Sequence, residues 1–299
     1  MKKVVTPLHR FYNLPDYNFA SKYLGIEGAM TMHYIDEGPK DGEVVLLLHG
    51  EPSWSYLYRH MIPIFVEAGY RTIAPDLIGF GKSDKPTEME DYTYQRHVDW
   101  MKQFISQLDL KGINLFCQDW GGLIGLRCAA EMEERFSRIV AGNTMLPIGK
   151  GTPSEAFLQW REYSKKVPKI NIGKILQNST ERELTEAEIQ AYWAPFPDET
   201  YMAGAKIFPS LVPITEDDPA VPANLKAWEV LSKWKKPFLT LFSDKDPITA
   251  GGEKPLRKMI PGAKEQPRIT IKGAGHFLQE DKPTGIAEIM IHWMQETAV

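Results

Sequence analysis

Residues 113–125 read Ile-Asn-Leu-Phe-Cys-Gln-Asp-Trp-Gly-Gly-Leu-Ile-Gly. An apolar strand runs straight into a glycine-lined turn and then a helix, with Asp119 at the apex. A tight strand-to-helix turn of this kind is a nucleophile elbow, which lifts one side chain above a sheet. Small residues must flank the apex because the turn is crowded. Cys117, Gly121 and Gly122 supply them, and Gly125 lets the helix pack close to the strand. Such an apex is usually Ser or Cys, and a carboxylate redirects the chemistry. An ionised carboxylate needs no activating base and can displace a leaving group from a saturated carbon, forming an ester that water must then cleave. An Asp that merely caps a helix is the plain alternative. It leaves the glycines and the downstream partners unexplained.

Outward from the elbow, strands and helices alternate. Ala29–Asp36 alternates like an antiparallel strand, and Glu43–His49 holds the continuous apolar run Val-Val-Leu-Leu-Leu of a strand covered on both faces. A helix is expected from about Trp54 to Ala68, a strand at Arg71–Pro75, a helix over Asp91–Leu108 and a strand at Ser137–Gly142. The residues before about 28 are expected to wrap the surface before the sheet begins. This spacing predicts an α/β fold with a mostly parallel, doubly wound sheet. The rhythm breaks near Pro147. From there to about Ala223 no strand-like run occurs, and helical segments at Pro153–Ser164 and Thr185–Tyr192 lie between proline-bearing loops. The pattern predicts a helical cap, residues 147–223, inserted into a core of residues 1–146 and 224–299. Pro237–Ser243 and Arg268–Ile271 resume the strands, with helices near Gly252–Met259 and Thr284–Thr297.

A chain of 299 residues with net charge −4 lacks the basic balance that nucleic acid requires. No apolar run reaches the length of a membrane span or of a signal peptide. The two cysteines, Cys117 and Cys128, cannot form a disulfide framework, and no Cys/His cluster has metal-ligand spacing. A monomer in the reducing cytoplasm, without cofactor or metal, is expected.

An ester on Asp119 persists unless a base delivers water to it. His276 lies in the glycine loop Ile271-Lys-Gly-Ala-Gly-His-Phe277 just past the last strand. His33, His60, His97 and His292 fall inside predicted elements, His9 lies in the N-terminal wrap, and His49 is read as a brace for its loop. His276 is therefore the expected base. Its imidazole needs a carboxylate to fix the tautomer. Phe242-Ser-Asp-Lys-Asp-Pro247 offers Asp246, the preferred partner, and Asp244, read as an anchor of the turn. The order nucleophile, acid, histidine is that of α/β-hydrolases. The loop His49-Gly-Glu-Pro52 can aim the backbone N–H of Glu51, with that of Trp120, at an oxyanion during ester hydrolysis, and the Glu51 side chain is placed to hold the hydrolytic water.

With these residues assembled, the chain resembles the haloalkane dehalogenases along essentially its whole length. The resemblance is carried by His49-Gly-Glu-Pro-Ser-Trp-Ser-Tyr-Leu-Tyr-Arg59, Asp76–Asp84, Cys117–Gly122, Gly273–Asp281, and the cap stretch from Ala194-Pro-Phe-Pro-Asp198 to Phe208-Pro209. It implies a small apolar halogenated substrate, water, and a halide product held by two indole N–H groups. The first donor is Trp120. The second, in the subfamily with this tryptophan on an early cap helix, matches Trp160; Trp193, Trp228 and Trp234 are rivals. Indole is a donor without an acceptor, which suits a large, weakly hydrated anion. Phe157, Phe208, Pro209 and Phe277 would line the cavity.

Two other readings stay open on sequence. An epoxide hydrolase of the same fold would use two cap tyrosines, and Tyr163, Tyr192 and Tyr201 are available. A silent binding protein of this fold is the second, disfavoured by the intact Asp119, Asp246 and His276.

Overall fold

The computed structural model describes residues 1–297. Its strands are β1 (Lys3–Val4), β2 (Lys22–Ile26), β3 (Met30–Glu37), β4 (Val44–Leu48), β5 (Arg71–Pro75), β6 (Lys85–Pro86), β7 (Ile113–Gln118), β8 (Phe136–Gly142), β9 (Phe238–Ser243) and β10 (Ile269–Ile271). The main sheet has eight strands in the order β10-β9-β8-β7-β4-β5-β3-β2. It is parallel from β10 to β5, and β3 and β2 are antiparallel additions at one edge. The central strands β4 and β7 are buried along their whole length, as their unbroken apolar runs require.

The helices are α1 (Ile62–Glu67), α2 (Tyr94–Gln107), α3 (Trp120–Glu131), α4 (Glu155–Lys166), α5 (Ile172–Asn178) and α6 (Glu186–Trp193). They continue with α7 (Ala203–Leu211), α8 (Val221–Leu231), α9 (Glu253–Met259), α10 (Leu278–Asp281) and α11 (Pro283–Glu296). Three expectations need correction. The sheet begins at β2, not near Ala29: an edge strand facing solvent carries few apolar residues, and here the aliphatic ones are only Leu24 and Ile26, separated by Gly25. The helix expected from Trp54 to Ala68 is instead a 3-10 turn, Ser55–Tyr58, followed by α1, whose start is set by Pro63 in its first turn. Within the insertion, α5 and α7 stand where loops were expected, and Pro209 lies inside α7. Pro222 sits in the first turn of α8, where its missing N–H costs nothing. Helix α8 straddles residue 223, the expected end of the cap.

Register decides where chemistry collects. Leu48 of β4 pairs with Cys117 of β7, and Gln118 pairs with Gly142 of β8. The loops after β4, β7, β8, β9 and β10 therefore open side by side at the carboxyl edge of the sheet, the usual place for a site in a parallel α/β sheet. Helices α4 to α7 lie in the chain between β8 and β9.

Candidate active site

The backbone at Asp119 has φ 50° and ψ −127°. A residue with a Cβ is strained there by of order 1–3 kcal/mol, and such strain persists only where the surroundings impose it. The imposition is visible. The Asp119 N–H donates to the Asn143 carbonyl at 3.0 Å, and the Thr144 hydroxyl donates to the Asp119 carbonyl at 2.7 Å. A Cβ on Gly121 would lie 2.1 Å from the Leu48 carbonyl oxygen, and one on Gly50 would lie 2.3 Å from Cβ of Asp119. The two loops meet only because both positions lack a side chain.

The Asp119 carboxylate is held at both ends. The Glu51 N–H donates to Oδ1 at 2.8 Å, and Oδ2 lies 3.4 Å from Nε2 of His276. On the far side of the ring, Nδ1 lies 3.0 Å from Oδ2 of Asp246. Asp246 also accepts the Ile248 N–H at 2.9 Å and the Thr249 hydroxyl. Asp244 takes the Gly273 N–H at 2.8 Å, so it fastens the turn as expected while Asp246 faces the imidazole. Burial would raise the Asp246 pKa, but the His276 ring and the local donors hold it well below the usual carboxylate range. Burial would likewise lower the His276 pKa, yet Asp246 and Asp119 outweigh it and raise it above the ordinary imidazole value.

His49 braces its loop. Its Nδ1 donates to the Gly50 carbonyl at 2.9 Å, which leaves Nε2 to accept the Leu77 N–H at 2.9 Å. The Glu51 side chain is buried, and Oε1 has no partner among the described residues. Burial and the neighbouring Asp119 push its pKa well up, offset in part by the Trp160 indole. Both effects disfavour a second negative charge beside Asp119.

Between this constellation and helices α4, α5 and α7 lies a cavity of about 470 Å³. Glu51, Asp119, Trp120, Phe157, Trp160, Pro209, His276 and Phe277 all reach its wall. Phe208 does not. It stands one layer back, fully buried, with its ring 4.6 Å from that of Trp120 and 4.5 Å from that of His97. The next helical position, Pro209, faces the cavity in its place. Trp193, Trp228 and Trp234 are absent from the wall, and the Trp228 indole is committed to the Leu146 carbonyl at 2.9 Å. Of the three cap tyrosines only Tyr163 lines the cavity, while Tyr192 donates to Glu280 behind it.

Several contributors were not found by reading the sequence. Asn143, directly after β8, donates through Nδ2 to the carbonyls of Gly275 and His276 at 3.0 Å each, fixing the histidine loop to the sheet. Its place at the carboxyl end of a central strand was a usable signal. Asp281 accepts the Gly275 N–H at 2.8 Å and, from the cap, the N–H groups of Glu181 and Arg182 at 2.9 Å each. Behind the cavity, Arg59 pairs with Glu280 and with Glu188 of α6, and Arg182 of the cap pairs with both glutamates. Only spatial proximity reveals these last contacts, which join residues up to 221 positions apart.

Residues 43–283 match the family described as alpha/beta hydrolase fold. The chain is 55% identical to a haloalkane dehalogenase of Psychrobacter cryohalolentis over 99% of both chains, and 50% identical to one of Mycobacterium marinum over 98% of this chain and 100% of the relative. The tetrameric haloalkane dehalogenase DpaA of Paraglaciecola agarilytica superposes with a TM-score of 0.90 at 38% identity, covering 97% of each chain. With a carboxylate at the elbow apex and identity of this order along its full length, the chain belongs to the haloalkane dehalogenases of the alpha/beta hydrolase fold.

Proposed function

We propose that this protein hydrolyses small haloalkanes to a primary alcohol and a halide through a covalent ester on Asp119. The observation that carries this reading is the line Asp246–His276–Asp119, ending in an apolar cavity that two indoles, Trp120 and Trp160, also reach. Oδ1 of Asp119 is held by the Glu51 N–H, leaving Oδ2 to attack. As the new C–O bond forms, the carbon–halogen bond breaks and its electron pair leaves with the halide, toward the indole N–H groups. His276 then takes a proton from water, and the hydroxide adds to Cγ of Asp119. The oxyanion develops on Oδ1, where the Glu51 N–H and the first N–H of α3, that of Trp120, receive it. Collapse expels the alkoxide, which is protonated to the alcohol; one proton leaves to solvent with the halide. The Glu51 side chain positions the water. The cap is the insertion around residues 147–223, whose boundary falls within α8, and the core is residues 1–146 with, among the described residues, those up to 297. Every residue in this scheme comes from one chain, so a monomer suffices for the chemistry.

A panel of chlorinated, brominated and iodinated alkanes, scored for halide release beside epoxides scored for diol, tests the activity. Halide without diol is expected. Diol formation without halide release would favour the epoxide reading, which asks for two cavity-facing tyrosines where Tyr163 stands alone among the three cap candidates. Neither product would favour the silent binding protein.

The Trp160→Phe variant tests the halide pair. A donor aimed at charge that develops in the transition state is worth about 3 kcal/mol, or roughly a hundredfold in the alkylation rate. Iodide quenching of the intrinsic fluorescence should weaken in parallel. A Trp160→Phe variant with wild-type alkylation and quenching would move the second donor elsewhere.

A further inference from the structure

Gln118, the residue before the elbow apex, is fully buried and takes no part in the steps above. Its Nε2 lies 3.1 Å from Nε2 of His276 and 3.1 Å from the His276 carbonyl oxygen. An amide nitrogen carries two hydrogens, one for each of these acceptors. The carbonyl fixes which way round the amide sits: turned over, Oε1 would face the His276 carbonyl, acceptor against acceptor. Oε1 has no partner among the described residues, so the nitrogen end makes the contacts. Because Nδ1 of His276 faces Asp246, Nε2 is the atom that receives a proton from water.

We propose that Gln118 is a positioning residue for the base: until water arrives, its side-chain amide donates to the one lone pair on Nε2 of His276 and so keeps the imidazole neutral, and the hydrolytic water takes the amide's place there before giving up its proton. The proposal rests on the role given above to His276.

The ring needs such a contact because of its other neighbours. Three carboxyl groups surround it: Asp246 on the loop after β9, Asp119 at the elbow and Glu51 on the loop after β4. Asp246 and Asp119 favour the imidazolium, which has no lone pair left for a further proton. A donor at Nε2 acts in the opposite sense. Once Asp119 is esterified it carries no charge, and the amide then works against Asp246 rather than against both aspartates. The ring is thereby held neutral in the ester until water displaces the amide from Nε2. When Nε2 has taken the proton, its N–H faces the amide N–H, which favours passing the proton on to the departing alkoxide.

The test uses the full chain and 1-bromobutane in single turnover, following the mass of the alkyl-enzyme as it decays at a series of pH values. Decay requires neutral His276, so its rate climbs as pH rises through the pKa of the ring in the ester. In Gln118→Leu the neutral form loses its donor, the pKa rises, and the midpoint of the climb moves upward by about half to one pH unit. In Gln118→Glu, closest in shape to the native side chain, an acceptor replaces the donor and the upward shift is larger. A burst of one halide per site in each variant shows that the elbow and cavity remain assembled. A midpoint that stays at the wild-type pH in a variant showing that burst, with only the plateau lowered, would reduce Gln118 to a packing role and overturn the proposal. A wild-type decay with no pH-dependent limb would instead overturn His276 as the base, and the assignment of Gln118 with it.

Discussion

A His276→Phe variant releases one halide per active site and then stops, and the protein becomes heavier by the alkyl group on Asp119. Alkylation asks nothing of the imidazole: the attacking oxygen is already ionised, and its partner oxygen is oriented by the Glu51 N–H at 2.8 Å. Hydrolysis of the ester does require a base, and loss of a positioned base typically slows such a step about 10²–10⁴-fold. Peptide mapping of the stalled protein should place the adduct on Asp119. Wild-type enzyme in excess over substrate, run once in heavy-oxygen water, supplies the complementary result. The alcohol keeps an oxygen of Asp119 and stays unlabelled, while the label enters the Asp119 carboxylate. A labelled alcohol in the first turnover, with unlabelled Asp119, would mean direct attack by water and demote Asp119 to electrostatic support.

The second large effect lies away from the chemistry. Glu280 is buried and accepts from Arg59, Arg182 and the Tyr192 hydroxyl, and the Arg59 side chain is itself fully buried. Glu280→Leu leaves the buried Arg59 guanidinium with only the Glu188 carboxylate, in a place water does not reach. Breaking a buried pair from one side costs about 3–5 kcal/mol, which for a chain of this size lowers Tm by roughly 10 °C. Denaturant titration of wild type and variant measures it, and a loss below about 1 kcal/mol would show that Arg59 finds compensation elsewhere. Tyr192 of α6 and Arg182 before it donate to Glu280, and Glu188 of α6 accepts from Arg59 and Arg182. The variant should accordingly expose the cap to proteolysis before the core.

What the sequence made readable follows from how local each signal is. The elbow could be read because turn, strand and helix lie within 13 consecutive residues. Asp246 and His276 could be singled out because each lies on the loop just past a strand in the expected order, and their side chains stand 3.0 Å apart. The edge strand β2 and helix α7 could not, the first because a solvated edge needs little apolar sequence and the second because Pro209 reads as a breaker. Phe208 shows a finer limit. Its helix was not predicted, and neighbouring helical positions face directions about 100° apart, so the choice between Phe208 and Pro209 for the wall depends on a rotation that composition does not encode. Gln118 and Asn143 make their contacts through single side-chain amides; nothing in the local pattern announces the first, and only its place at the carboxyl end of β8 points to the second.

Asp281 has a bearing on how this enzyme can be rebuilt. One carboxylate joins the N–H of Gly275, next to the histidine, to the N–H groups of Glu181 and Arg182 in the cap. Ser179 adds a further tie, its carbonyl accepting the Phe277 N–H at 3.1 Å. The insertion is therefore not an interchangeable lid over a finished machine. A chimera that imports another family member's cap to alter substrate range should import residues 275–281 in the same exchange. Otherwise the graft trades a new cavity for a misplaced histidine.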